Sequence, residues 1–208
     1  MTLGRLKNVD RPPLLTELPG KNPRALLDIG ANVDCPDKQL VQFAILGSAY
    51  MQAMKKIERP RVALLSNGAE EKKGNAIVQA AHQILKNQTA LNFVGNVEGR
   101  DLFEDDCPEV VVCDGFCGNL VLKALEGALA FAGKACMKEY GGLPAAFAGL
   151  DHNKRGGVPL LGVKGISVVC HGNSKRMAVA RAIQVAKDCV NDRLVALQQE
   201  TMEQMQLK

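Results

Sequence analysis

The 208-residue sequence has no Trp and only two Tyr, with aromatic residues at 4%. A core so poor in large rings must be filled by aliphatic side chains, and the abundant Gly and Ala suit helices packed closely on a sheet better than a β-sandwich. The seven cysteines form no C-x-x-C pair. Cys113 and Cys117 have no second cluster and the histidines lie far from them in sequence, which disfavours zinc. No apolar h-region opens the chain, and no stretch is long and apolar enough for a transmembrane helix. Together these point to a cytoplasmic protein with reduced thiols. The net charge of +4 comes without a Lys/Arg-rich stripe interleaved with aromatics. That balance suits an acidic protein partner or an anionic substrate and carries no nucleic-acid signature.

What is present is a rhythm of strands and helices, the mark of βαβ units and a mostly parallel sheet. Ala25–Ile29 reads as the first strong strand, and Asp37–Lys55 as a helix with Leu40, Phe43, Gly47, Tyr50 and Met54 at helical spacing. Arg61–Leu65 is a second strand. A helix with Ile77, Ala81, Ile84 and Leu85 on one face follows it, then strands at 92–94 and 109–113. The span 119–138 is the most apolar helix, with Val121, Leu125, Ala128, Leu129, Ala132 and Cys136 on a broad face and lysines at its margins. That face fits burial, a dimer contact or a membrane interface, and the three readings stay open. A Gly-rich stretch, 141–157, is expected to be mobile; a last strand at 165–170 precedes one long helix, 173–199. Residues 1–19 offer no obvious first strand. The chain thus reads as a single α/β domain over 1–208, with 119–157 as an apolar helix and mobile segment inside it.

Four strand ends are rich in Gly and polar residues: 28–34, 70–75, 114–119 and 171–174. In a parallel sheet these loops share one edge, where ligands bind and helix N-termini offer free N–H groups. Cys113-Asp114-Gly115-Phe116-Cys117-Gly118-Asn119 is the most informative of them, because Val110-Val111-Val112 leads into it and the apolar helix leaves it. Its plainer reading is a turn closed by Asp114 and a helix capped by Asn119. Lys73, just before Gly74-Asn75 and a helix start, is placed to hold an anion together with that helix end. His171 suits a phosphate contact or a proton shuttle, or simply a bond to neighbouring backbone. Arg100 has Glu98 and Asp101 beside it, and an ion pair with them is its default role.

The strings Leu27-Asp28-Ile29-Gly30-Ala31-Asn32-Val33-Asp34-Cys35, Gln42-Phe43-Ala44, Gly95-Asn96-Val97-Glu98-Gly99-Arg100-Asp101, Cys113-Asp114-Gly115-Phe116 with Gly118-Asn119, and Pro159-Leu160-Leu161-Gly162-Val163-Lys164-Gly165 occur in order. Together they closely resemble the bacterial phosphate acyltransferases of phospholipid synthesis, from about Arg11 to the end of the terminal helix. The resemblance implies a three-layer α/β fold similar to phosphotransacetylases and to isocitrate and isopropylmalate dehydrogenases. It also implies a homodimer peripheral to the inner face of the cell membrane, with acyl carrier protein and inorganic phosphate as substrates and a glycerol-3-phosphate acyltransferase as a further partner. The implied reaction transfers a fatty acyl group from the carrier-protein thioester to phosphate, without metal, nucleotide or other cofactor. By position in the matching motifs, Lys73 is the candidate cation and Asp114 the candidate acid, base or orienting carboxylate. Asn32, Asn75, Asn119 and His171 are candidates for substrate binding.

Two departures qualify the match. Ser66-Asn67-Gly68-Ala69-Glu70 stands where the family has Asn-Ile-Gly-Glu-Glu, so this loop has one carboxylate fewer. The chain also lacks the family's opening α/β segment with its Gly-Asn-Thr-Gly-type loop, which leaves a separate polypeptide, a misplaced start or a remnant as explanations. A catalytically incomplete interaction protein and a coenzyme A-dependent phosphotransacylase are therefore the competing functions. A dehydrogenase is disfavoured by the absence of Asp residues at metal-site spacing.

Overall fold

The computed structural model describes residues 3–143, 156–172 and 174–205. A five-stranded sheet forms its centre: β1 (Leu15–Glu17), β2 (Ala25–Leu27), β3 (Arg61–Leu65), β4 (Asn92–Val97) and β5 (Val110–Val112), in the order β1-β2-β5-β3-β4. Only β1 runs antiparallel, paired to β2 with Leu15 opposite Leu27; the other pairings are parallel, with Leu27 and Leu64 both opposite Val112. The sheet is mostly parallel, as expected. β1 falls in the N-terminal stretch that gave no strand signal.

Alternation along each strand decides which layer a side chain enters. Ala25, Leu27, Val62, Leu64, Val110 and Val112 face a core shared with the helix α1 (Asp37–Lys55). Leu26, Ala63 and Val111 face a second core that includes Leu102 and, at its margin, Val121, Leu122 and Leu125. α1 has the bounds the spacing predicts, and it is buried almost continuously from Gln39 to Met51, because its outer side is covered in turn. α2 (Ala76–Lys86) lies beside it.

The C-terminal part departs from its sequence reading. β6 (Val158–Leu160) and β7 (Ser167–Val169) form a separate antiparallel pair, so the last strand does not join the central sheet. The expected long terminal helix is two, α4 (Arg176–Asn191) and α5 (Leu194–Gln204), broken where Arg193 takes a left-handed conformation (φ 54). α5 packs across α1.

The apolar helix α3 runs over Gly115–Tyr140, and Gly115 and Gly118 are its buried residues. Cys117, Val121, Leu122 and Leu125 pack partly on the second core. Beyond them the helix leaves the body, and Phe131 is 78% exposed. Within the described residues the N-terminal part of the apolar face is thus partly covered by the second core, and Phe131, off that face, is exposed. Most of the Gly-rich stretch expected to be mobile, 144–155, lies outside the described residues. Among the described residues no helix is long and apolar enough to cross a membrane.

Candidate functional site

The loops after β2, β3 and β5 leave the same edge of the sheet, and the first of them is organised by one buried carboxylate. Asp28 Oδ1 accepts the backbone N–H groups of Leu14 (3.0 Å), Gly30 (3.2 Å) and Ala31 (3.0 Å), while Oδ2 accepts the N–H of Asn32 (2.7 Å) and its amide Nδ2 (2.8 Å). Five donors on one carboxylate fix the loop in place. The loop then fixes α3: the N–H of Gly115 donates to Asn32 O at 2.7 Å, and both Gly115 and Gly118 lie where a Cβ would collide with this backbone. The glycines that read as turn residues are needed for this close approach.

Asp114 caps α3, its Oδ1 accepting the N–H of Cys117 at 2.7 Å and its Oδ2 facing the Cys117 thiol at 3.3 Å. Asn75 caps α2 in the same way, accepting the N–H of Val78 at 2.9 Å. The loop between β3 and α2 is closed by Asn67, whose Oδ1 accepts the N–H of Gly74 at 2.8 Å. A cavity of about 490 Å³ opens between these parts, lined by Ser66, Asn67, Gly74, Asn75 and Val78 on one side and by Cys113, Asp114, Cys117, Leu120 and Val121 on the other. Two helix N-termini thus converge on one space, each bringing the positive end of its dipole.

The cysteines here are not prepared as nucleophiles. Burial, and then the hydrogen bond to Asp114, push the Cys117 thiol up to about 11. Burial also raises Cys113 well above the ordinary thiol value, and Cys35, behind Gly115, goes up to about 11 for the same reason. All three remain thiols near neutral pH.

The predicted site residues divide. Asp114 and Asn75 line the cavity. Lys73 is exposed on the adjoining loop, and among the described residues nothing pairs with its ammonium. Asn119 is exposed in the first turns of α3, with its side chain facing Gly30. Asn32 is buried, and its amide is committed to Pro12 O (2.9 Å) and Asp28. His171 follows β7 in the separate pair, 60% exposed and 4.0 Å from Glu126, so three of the four loops share an edge and the fourth does not. Arg100 pairs with Glu98 at 3.0 Å, as its neighbours suggested. Ser66, Asn67 and Asp28 were not singled out as site residues, although all three stand at strand ends inside the quoted motifs.

A buried pair holds the Lys73 loop from behind. The Nδ1 of His82 lies 3.0 Å from Asn96 Oδ1, and Asn96 Nδ2 donates to Glu70 O at 3.0 Å. A larger cavity, about 680 Å³, lies toward the other edge of the sheet, and on its wall Glu17 accepts from the Tyr50 hydroxyl and pairs with Lys55.

The sequence model for the family described as fatty acid synthesis protein matches residues 1–197. The chain belongs to this family. It is 46% identical over 199 residues to a phosphate acyltransferase from Syntrophomonas wolfei, covering 95% of this chain and 62% of that one. A phosphate acyltransferase from Thermoanaerobacter pseudethanolicus is 44% identical over 220 residues, covering 99% and 66%. The chain therefore spans somewhat under two thirds of these relatives' length. Among solved structures it is similar to a branched-chain phosphotransacylase from Enterococcus faecalis (TM-score 0.55, 15% identity, 85% of this chain and 63% of that one). A phosphotransacetylase from Staphylococcus aureus is similar to the same degree (TM-score 0.55, 16% identity, 88% and 56%). At such identities the likeness shows the fold, which is that of the phosphotransacylases.

Proposed function

We propose that the cavity between α2 and α3 binds inorganic phosphate and that the chain supplies this side of an acyl-transfer site. The observation that carries the reading is the convergence of two helix N-termini on one cavity, with Asp114 inside it and Lys73, which has no ion pair among the described residues, on the adjoining loop. The relatives' name, phosphate acyltransferase, supplies the reaction class. In the proposed reaction a phosphate oxygen attacks the thioester carbonyl carbon, the C–O bond forms, and the C–S bond breaks. The proton carried by hydrogen phosphate ends on the departing thiolate, giving acyl-phosphate and a free thiol. Lys73 gathers phosphate and balances its charge, the N–H groups of the two helix ends hold its oxygens, and Asp114 orients α3's first turn or relays the proton.

The finer reading assigns a fatty acyl thioester of acyl carrier protein as donor and phospholipid synthesis as destination, with a homodimer at the membrane surface and glycerol-3-phosphate acyltransferase as the consumer. The mild positive charge suits an acidic carrier protein, and the exposed apolar side chains of α3 suit a lipid surface or a second copy. The wide opening of the cavity and the relatives' greater length favour one competing reading, a chain that binds but does not turn over by itself. The test measures acyl-phosphate by mass spectrometry after mixing the chain, alone and co-expressed with the portion of the Syntrophomonas wolfei relative outside the match, with ¹⁸O-phosphate and either carrier-protein or coenzyme A thioesters. Labelled acyl-phosphate from the carrier-protein donor, abolished by Lys73→Ala, is expected. Product from coenzyme A thioesters alone moves the donor assignment, and no product in any mixture overturns the reading.

A further inference from the structure

We infer that Asn96, Gln79 and Gly68 are positioning residues that hold Lys73 in a preset place beside the cavity. The use of Lys73 as a phosphate-gathering cation rests on the function proposed above, whereas its holding stands on the geometry of one loop.

The backbone around Lys73 is clamped from two elements. Its own N–H donates to Glu70 O at 2.9 Å, and the same carbonyl accepts from Asn96 Nδ2 at 3.0 Å, so β4 fixes the turn that leads to the lysine. Asn96 is buried, and the Nδ1 of His82 lies 3.0 Å from its Oδ1, which turns the amide Nδ2 toward Glu70. From α2, Gln79 Nε2 donates to both Lys72 O and Gly74 O at 2.9 Å, the carbonyls of the residues on either side of Lys73. An ordinary exposed turn is closed by a single i to i+3 bond. Here further bonds from a strand and a helix converge on one residue, and that residue carries an ammonium with no ion pair among the described residues.

The side chain is guided as well. Gly68 is buried, and a Cβ built on it would come within 2.6 Å of Lys73 Cγ and 2.9 Å of Lys73 Cδ. The stem of the lysine therefore lies across a residue that has no side chain, with Glu70 Oε2 bounding the same groove, 2.7 Å from that Cβ position. Gly68 follows Asn67, which lines the cavity, so the stem runs along the cavity's own loop. Lysine is a point charge on a flexible stem, and ordering it beforehand spares the freedom that anion binding would otherwise take away.

The test uses the full 208-residue chain and inorganic phosphate alone, with two readouts. Titration calorimetry gives the phosphate affinity. Relaxation of ¹³Cε in lysine-labelled protein, without phosphate, gives the mobility of Lys73, whose signal is assigned by its loss in Lys73→Arg. Lys73 is expected to be more restricted than Lys72 beside it. Gln79→Met keeps the stem but loses the donor, and Gly68→Ala pushes the lysine aside; each is expected to free Lys73 to the level of Lys72 and to weaken phosphate about fivefold, the size of one net hydrogen bond. Asn96→Ala should do the same in protein that stays folded by circular dichroism, and the two other variants carry the test where it does not. Gln83→Met, whose amide serves the Glu71 side chain instead of the backbone beside Lys73, should change neither readout. In a Lys73→Ala background Gln79→Met and Gly68→Ala should cost no further affinity, because a positioning residue acts through the lysine and a merely structural clamp would subtract again. A Lys73 as mobile as Lys72 in the parent, full affinity in both variants, or equal losses with and without Lys73 would each overturn the assignment. A parent that binds no phosphate while Lys73 is restricted and released by Gln79→Met supports the clamp and removes the proposed phosphate site.

Discussion

Gly118 of α3 lies directly against the backbone carbonyl of Asp28, with the Cys113 sulfur beside that carbonyl. The carbonyl belongs to the residue whose carboxylate holds the whole β2 loop, so the position of α3, and of Asp114 at its cap, is set by backbone contact rather than by side chains. Gly118→Ala must push the helix away and is expected to cost about 1–3 kcal/mol, as overpacking does. Urea unfolding checks this against Gly127→Ala in the same helix. There a Cβ meets nothing within 4 Å, and helix propensity should stabilise by about 0.5–1 kcal/mol. Equal effects at both positions would contradict the packing argument.

The Asp28 carboxylate is the second anchor. Asp28→Asn preserves size but turns an acceptor of five N–H groups into one that presents an NH₂ to some of them. Loss of about 2–4 kcal/mol is expected, the cost of breaking charge-assisted bonds and leaving buried donors unmatched. Amide exchange should quicken at Gly30, Ala31 and Asn32 before it quickens at α1. A variant with unchanged stability would show that the loop is held elsewhere.

How far this architecture could be read beforehand follows from which contacts are local. α1 and β3 have the bounds their spacing implies, because each is bounded by local turn chemistry and carries its own burial pattern. β1 is silent in the sequence because three residues flanked by prolines carry almost no strand signal, and its pairing with β2 is a tertiary fact. The sequence points to Asn119 as the start of α3, whereas the helix begins at Gly115, because Gly is ordinarily a poor helix former and the Asn32 and Asp28 backbones that require it are more than 80 residues away in sequence. The sequence groups His171 with the other loops because strand rhythm alone does not tell which strands share a sheet. The strand before it instead pairs with β6 alone.

Arg61 and Glu109 bind β3 to the start of β5, with Arg61 NH2 2.7 Å from Glu109 Oε1 and the Arg61 N–H donating to Oε2. Burial raises the Glu109 pKa, but the hydrogen bonds from Arg61 outweigh it and the value lies below the ordinary 4.5. A carboxyl depressed in the folded state contributes stability that is present above its unfolded pKa and lost as pH falls through the folded value. Stability should therefore decline as pH drops below about 4.5, and Glu109→Gln should flatten that decline. Chemical unfolding at pH 7 and at acid pH measures the difference; parallel curves for parent and variant would remove this pair as the source.

The Cys117 thiol offers a direct reading of the electrostatics at the cavity. With its pKa held at about 11, first by burial and then by Asp114, the thiolate is scarce at neutral pH, so alkylation by iodoacetamide should be slow and should accelerate roughly tenfold per pH unit from 7 to 9. Asp114→Asn removes the negative charge and the carboxylate acceptor but not the burial. The thiol pKa should fall part of the way, and Cys117 should react faster at every pH in that range, as resolved by peptide mass spectrometry. Partly exposed Cys136, far along α3 from Asp114, should react at an unchanged rate and serves as the internal reference. If Cys117 is equally slow in both proteins, burial alone governs the site, and Asp114 does not set the charge at the mouth of the proposed phosphate cavity.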